Sequence, residues 1–430
     1  MFQINFTTLF EIFPEEVELT DDDRVFVPHV ETLIEVANVV SRHSPRAIKN
    51  FMDKDEILKV IPFLPPQYQR PAVMFQKQRT GVSKDPPLWK VCVIATLNFL
   101  PNIVSSMYVR RNFQPTEKLE VQALIENLQQ SLRTVLNNAD WMDDETKKAA
   151  LIKADAMSQK IGYPDRLLNE TWLMLYLNNT IIKNDTFYDN TEALNLADLT
   201  ASLAAIREPL DPEDWNMPAA KANAYYDRIR NQIAFLAGIL QFPMFSAGAP
   251  QYFNYGRLGF IIGHEITHGY DDEGRQFDEV GNVRNWWSNV TLPHYKERAQ
   301  CFADQYNDVM DQITGQNLNG NITLEENIAD AGGLKITHMS FMNWLNQQTH
   351  VASLPGLEHY DAHQMFFLSF ANTWCELIHV KYRTLAILGN EHSLGKYRVN
   401  MPLQNLPEFA DAFNCPLDSP MRRKDICELW

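Results

Sequence analysis

His264-Glu265-Ile266-Thr267-His268 places two imidazoles four residues apart with a carboxylate between them. On an α-helix, residues i and i+4 share a face. Both rings can therefore reach one zinc ion, while Glu265 stands beside it to take a proton from an activated water. The preceding run Leu258-Gly259-Phe260-Ile261-Ile262-Gly263 is apolar, as a buried helix requires. Two solvated or core histidines one turn apart would give the same pattern, so a third ligand is the deciding feature. One class of zinc peptidase extends the motif with Gly and His three and six residues past the second histidine. Those positions hold Asp271 and Gly274, which excludes that class. A glutamate roughly twenty residues downstream, another source of the third ligand, would fall near Ser288, beyond which the first acid is Glu297.

The better source is Leu324-Glu325-Glu326-Asn327-Ile328-Ala329-Asp330-Ala331-Gly332-Gly333. Glu326 and Asp330 are one helical turn apart on one face, so one can ligate the metal while the other braces a ligand imidazole from behind. Glu325 has Ala329 at that offset and is the weaker choice. Thr323-x-x-Glu326 also reads as an N-terminal capping box, a structural role for the same carboxylate. Asp271, three residues past His268, is either an acceptor for that ring's other N–H or the capping acid of the turn Asp271-Asp272-Glu273-Gly274.

Helical segments must carry these groups. From Pro115 onward, Leu124, Leu128, Leu132 and Val135 recur on one face, and a second helix is expected from about Asp143 to Ile161, stopped by Gly162 and Pro164. A polar segment from Asn169 to Asn190 suggests a domain boundary, giving domains 1–190 and 191–430, and Arg207-Glu208-Pro209-Leu210-Asp211-Pro212 is a further break. Nine of the eleven histidines lie between His264 and His392.

The 430 residues, 45% hydrophobic and 21% charged, exclude a disordered regulator or a small binding module. A net charge of -16 disfavours nucleic acid as a partner, since no basic run exceeds Arg422-Arg423-Lys424. Val91 to Val104, the most apolar stretch, is broken by Asn98, Pro101 and Asn102 and falls short of the roughly 18 residues of a membrane span. The opening Met1-Phe2-Gln3-Ile4-Asn5-Phe6-Thr7 does not read as a signal peptide. Six sequons, at Asn5, Asn169, Asn178, Asn184, Asn289 and Asn321, permit glycosylation on a secretory route. Five cysteines, at 92, 301, 375, 415 and 427, fit neither a disulfide scaffold nor paired zinc knuckles.

Taken together, these residues resemble the neprilysin and endothelin-converting-enzyme family of zinc metalloendopeptidases. The matching blocks are Asn223-Ala224-Tyr225-Tyr226, Asn231-Gln232-Ile233, Ala237-Gly238-Ile239-Leu240-Gln241, Gly263 to Asp272, Glu326 to Gly333 and the closing Cys427-Glu428-Leu429-Trp430. Similarity also runs through Asp140-Trp141-Met142-Asp143 and Ile161-Gly162-Tyr163-Pro164, so it covers most of the 430 residues.

The resemblance implies a mainly α, two-lobed zincin: a thermolysin-like catalytic domain with a small β-sheet, plus part of an α-helical lobe that restricts access. It implies one Zn2+ per chain, held by His264, His268 and Glu326, with Glu265 as general base and Asp330 and Asp271 orienting the ligand rings. It assigns Asn223 and Ala224 to an edge that pairs with the substrate backbone, His392 to the oxyanion and Arg398 to a substrate carbonyl. By the residues alone, His392 is a loop histidine. Peptides cut on the amino side of hydrophobic residues are the implied substrates, with Trp374, Phe260 and Ile239 lining the pocket or simply filling the core. Cys301 is expected to pair with Cys427, whereas the counterparts of Cys92, Cys375 and Cys415 pair with an N-terminal part that the sequence does not contain. The expectation is thus of a shortened extracellular or cell-surface enzyme. Its alternative is a peptide-binding decoy that does not cut. Nothing in the sequence gives the oligomeric state.

Overall fold

The computed structural model describes residues 23, 27 and 30–430, apart from 83, 85, 178, 179, 210 and 212. The sequons at Asn5 and Asn178, the opening segment 1–7, and Leu210 and Pro212 lie outside the described residues. The other sequon asparagines, Asn169, Asn184, Asn289 and Asn321, are exposed.

Packing divides the chain into two compact units: Met1–Ile103 with Asp165–Trp215, and Val104–Pro164 with Asn216–Trp430. This differs from the single boundary expected at residue 190. Residues 104–164 belong with the zinc motif because Val121, Leu124, Ile125, Leu128 and Leu132 enter the same apolar core as Phe260, Ile262 and Ile266. A chain that leaves a unit and returns to it has no one linear boundary.

The first unit is helical, its longer helices being Val30–Arg42, Pro45–Val60, Pro66–Thr80, Leu88–Phe99 and Phe187–Ala204. Ser44 caps the second of them, accepting from the Ala47 N–H at 3.3 Å. Several large apolar side chains here are exposed, including Phe51, Met52, Phe75, Leu88 and Trp89. The apolar stretch from Val91 to Val104 is shared by the separate helices Leu88–Phe99 and Pro101–Asn112. Among the described residues, no single helix is long and apolar enough to cross a membrane.

The second unit opens on helix α1 (Pro115–Asn138) and helix α2 (Asp144–Ala156), the latter capped by Asp143, whose carboxylate accepts from the Thr146 N–H at 2.9 Å. The helix expected to run to Ile161 stops at Ala156, and Ser158–Gly162 is instead strand β1. Strands β2 (Ala224–Asp227) and β3 (Gln232–Leu236) complete a sheet of order β1-β3-β2. β1 runs parallel to β3, with Ser158 opposite Gln232 and Gly162 opposite Leu236. Partners so distant in sequence override local helix preference, and no local pattern shows them. β2 lies antiparallel to β3, Ala224 opposite Phe235, and occupies an edge of the sheet.

The remaining helices that shape the site are α3 (Phe260–Thr267), α4 (Thr291–Asn307), α5 (Leu324–Leu345), α6 (Ala362–Thr373), α7 (Val380–Gly389) and α8 (Gly395–Gln404). Cys427 is bonded to Cys301 of α4, as expected, while Cys92, Cys375 and Cys415 are free thiols. Trp430 packs edge-on to Tyr270 at 5.6 Å, and Lys335 of α5 pairs with Glu428, so the last residues are fastened to the core.

Helices α5 and α6 meet at two histidines, His338 and His363, whose Nε2 atoms are 2.7 Å apart. Burial, reinforced by His363, pulls the His338 imidazole down to about 3. The unfolded chain takes up this proton near 6.5, so the stability contributed by neutral His338 is complete above that pH. It is lost as the pH falls from 6.5 toward 3. Between pH 6.5 and about 4.5, the wild type should lose about 2–3 kcal/mol more stability than His338→Phe. Urea midpoints at the two pH values check this; parallel losses in the two proteins would refute it.

Candidate metal centre

Helix α3 is buried on almost every side, and a π-helical turn, Tyr255–Gly259, leads into it. His264 and Glu265 lie within α3 and His268 is the residue that closes it; all three are buried. Close approach of α3 and α5 depends on two glycines. A Cβ on Gly263 would lie 2.5 Å from the Gly333 carbonyl oxygen, and one on Gly333 would lie 2.6 Å from the His264 nitrogen. Each glycine lies next to or near a candidate ligand because the two helix backbones touch there.

That contact brings Glu326 to the two histidines. The Nε2 atoms of His264 and His268 are 3.0 Å apart, His264 Nε2 is 3.2 Å from Glu326 Oε2, and His268 Nε2 is 3.7 Å from Glu326 Oε1. Tetrahedral zinc with ligand bonds of about 2.0–2.1 Å needs donor separations of about 3.3 Å, which these distances bracket. The outer nitrogens are occupied: His264 Nδ1 lies 2.9 Å from Asp330 Oδ1, and His268 Nδ1 lies 2.6 Å from Asp271 Oδ2. With each Nδ1–H donated outward, each Nε2 directs a lone pair inward. Glu326 Oε2 is also buried and takes no hydrogen bond. Lone pairs facing one another at these distances repel unless a cation lies among them, so the residues fit a metal ion.

Contacts bear on two of the alternatives left open by the sequence. No side-chain hydrogen bond caps α5, so Thr323 and Glu326 do not form the capping box; Thr323 Oγ1 instead accepts from Asn327 Nδ2 at 2.8 Å. Asp271 fills both of its candidate roles, because its other oxygen accepts from the N–H groups of Glu273 (2.9 Å) and Gly274 (2.6 Å). Burial pushes the Asp271 carboxyl up to about 7, against those backbone donors. Burial likewise pushes the Glu265 carboxyl above its usual range, with His264 and His268 opposing.

Arg398 of α8 is almost fully buried and forks onto Asp330, Nε to Oδ2 at 2.9 Å and Nη2 to Oδ1 at 2.7 Å. Burial disfavours ionised Asp330, but Arg398 and His264 outweigh it and hold the carboxyl below its ordinary value. The guanidinium also lies 4.0 Å from the centre of the Trp374 ring. His392 is more open, its side chain 40% exposed, with Nε2 3.1 Å from Glu326 Oε2. Ala224 begins the edge strand β2, and Asn223 accepts at its carbonyl from the Leu236 N–H at 3.3 Å. Helix α3 packs against β2, which places that edge beside the centre. Phe260 is fully buried, edge-on to Trp374 at 6.0 Å, and Ile239 is buried as well.

Two neighbours escaped the sequence reading. Glu325, set aside for its helical offset, has Oε1 3.7 Å from His268 Nδ1 and is paired with Arg228, just past β2. A helix-only test ignores partners on another element, and the adjacent acids Glu325-Glu326 were the available signal. The other is Lys153, one of six charged residues in α2 and not distinguished from them by the sequence, which is buried.

Residues 223–429 and 1–164 match two models, both described as peptidase family M13. The chain is 34% identical over 424 residues to Neprilysin-21 of Caenorhabditis elegans, covering 97% of this chain and 55% of that protein. It is 35% identical to human Neprilysin, with 96% and 55% covered, and 39% identical to the Endothelin-converting enzyme homolog of Locusta migratoria, with 80% and 47% covered. Among solved structures, zinc metalloprotease Zmp1 of Mycobacterium tuberculosis, in complex with inhibitor, superposes with a TM-score of 0.78 at 28% identity, covering 86% of this chain and 56% of that one. PepO of Lactobacillus rhamnosis gives 0.74 at 26% identity, with 86% and 56% covered. The chain thus spans about half the length of the curated relatives it matches.

Proposed function

Because this chain belongs to peptidase family M13, we propose that it is a zinc-dependent endopeptidase whose metal is held by His264, His268 and Glu326. The observation that carries the reading is the inward convergence of two Nε2 atoms and one carboxylate, each Nδ1 being engaged by a carboxylate behind it. When bound, zinc polarises the scissile carbonyl and lowers the pKa of water.

The chain's own residues supply the rest. Glu265, raised by burial, takes the proton of the attacking water and passes it to the leaving amine. His392 donates a hydrogen bond to the developing oxyanion. Arg398 spends Nε and Nη2 on Asp330, which leaves Nη1 for a substrate carbonyl. Asn223 and Ala224, at the sheet edge, bind an extended peptide backbone as an added strand would. Trp374, only partly buried, suits an apolar residue on the amine side of the cut bond, giving cleavage before hydrophobic residues, while Phe260 and Ile239 are buried in the core against which it packs. The Cys301–Cys427 disulfide suits an oxidising compartment, hence a site of action outside the cytosol.

The test is metal content by mass spectrometry together with cleavage of a quenched fluorescent peptide. We expect one zinc per chain and turnover that a chelator abolishes and added zinc restores. A protein without zinc would end the reading, and zinc without turnover would favour a peptide-binding decoy.

A further inference from the structure

Lys153 of α2 is 1% exposed and has no part in the steps above. Its Nζ donates to the carbonyls of Gly274 at 2.7 Å and Phe277 at 2.8 Å. The ammonium also lies 5.6 Å from the Tyr270 ring and 6.0 Å from those of Tyr226 and Trp286. Both carbonyls belong to the turn that follows the zinc motif.

The same residue, Gly274, is joined to the metal centre through its other backbone group. Its N–H donates to Asp271 Oδ1 at 2.6 Å, and Asp271 Oδ2 is 2.6 Å from His268 Nδ1. A polar path therefore runs from Lys153 through the Gly274 turn and Asp271 to the ring of His268. The turn has no slack: a Cβ on Gly274 would lie 1.8 Å from the His268 carbonyl oxygen. Gly274 is thus pressed against the end of α3 while Lys153 holds its carbonyl. Burying a lysine is costly: burial pulls the Lys153 amine down to about 7, with Asp271 and Asp278 opposing the shift. Neutral donors also serve the turn: Trp287 Nε1 reaches the Arg275 carbonyl at 3.0 Å, and Trp286 Nε1 shares the Phe277 carbonyl with Lys153, at 3.0 Å.

We propose that Lys153 is a positioning residue for the metal centre: it fixes the Gly274–Phe277 turn, the turn fixes Asp271, and Asp271 fixes the His268 ring. The inference rests on the reading of His268 as a zinc ligand. It is tested by zinc dissociation constants from competition with a chromophoric chelator, alongside thermal unfolding of the metal-free protein. Wild type, Lys153→Met, Asp271→Asn, the double variant and Trp287→Phe are compared at a temperature where each metal-free protein is folded. Outer partners of ligand histidines typically contribute 10–100-fold to metal affinity, so Lys153→Met should weaken zinc binding roughly tenfold. The double variant should bind no more weakly than Asp271→Asn alone, because both changes break one path. Trp287→Phe should lower the melting temperature and leave zinc affinity unchanged.

Wild-type affinity in Lys153→Met, multiplicative losses in the double variant, or an equal loss in Trp287→Phe would overturn the proposal. If Lys153→Met does not fold, Lys153→Gln replaces it: its shorter amide keeps a donor group, so zinc affinity should fall by less than in Asp271→Asn, and wild-type affinity with a lowered melting temperature would overturn the proposal. Failure of the underlying reading looks different: a wild type that binds no zinc, or an affinity unmoved by His268→Ala, overturns the metal centre itself and this inference with it.

Discussion

Glu265→Gln should keep its zinc and lose peptide hydrolysis by roughly 10²–10⁴-fold, the usual contribution of a positioned general base. Glutamine preserves the size and hydrogen-bonding reach of the side chain but cannot accept a proton. None of the three candidate ligand atoms belongs to Glu265, so metal content should stay at the wild-type level. The residue is buried on α3, where its carboxyl is raised above the usual glutamate range mainly by burial. That rise strengthens it as a base while the neighbouring histidines limit the shift. Zinc analysis and kcat/KM on one preparation check the expectation. Turnover within a few-fold of wild type would remove Glu265 from the mechanism, and loss of zinc would move it into the coordination sphere.

The second large effect concerns Asp330. It is fully buried, faces His264 Nδ1 at 2.9 Å and takes two hydrogen bonds from Arg398. Asp330→Ala removes the anion and leaves a buried guanidinium and a ring N–H without their acceptor. Breaking a buried charge pair from one side costs about 3–5 kcal/mol, and loss of an outer partner of a ligand histidine lowers metal affinity about 10–100-fold. The variant should therefore unfold at markedly lower urea even without metal, and its zinc should exchange faster. Asp330→Asn retains an acceptor for His264 and should lose less stability. Urea denaturation of the metal-free proteins separates the two effects. An Asp330→Ala protein as stable as wild type would show that Arg398 finds another partner and that the buried pair has no structural role.

Arg398 has a structural engagement beside the role expected of it. The resemblance assigns it to a substrate carbonyl, yet two of its donor groups are spent on Asp330 and its face on Trp374. It links the brace behind His264 to the substrate side of the centre, so changes at Arg398 should move zinc affinity as well as KM. Helix α8, which carries it, is itself anchored by Tyr397, whose hydroxyl donates to buried Asp311 at 2.7 Å.

Sequence alone determined the parts of this protein that depend on near neighbours along the chain. The i, i+4 histidines, the i, i+4 pair Glu326 and Asp330, and the apolar stripe of α1 follow from helix periodicity, which a few consecutive residues fix. The Cys301–Cys427 pairing and the order of blocks were legible through family resemblance. Tertiary structure decided whatever depends on partners far apart in sequence. It made β1 a strand where local pattern continued a helix, because Gln232–Leu236 lies alongside it. It divided the chain into interleaved units rather than at residue 190, because α1 shares the core of α3. It also gave Glu325 a cationic partner in Arg228 and set Lys153 behind the turn that carries Asp271. A side chain's charge and periodicity are local properties. Its burial and its partners are set by which distant backbone comes within hydrogen-bonding reach.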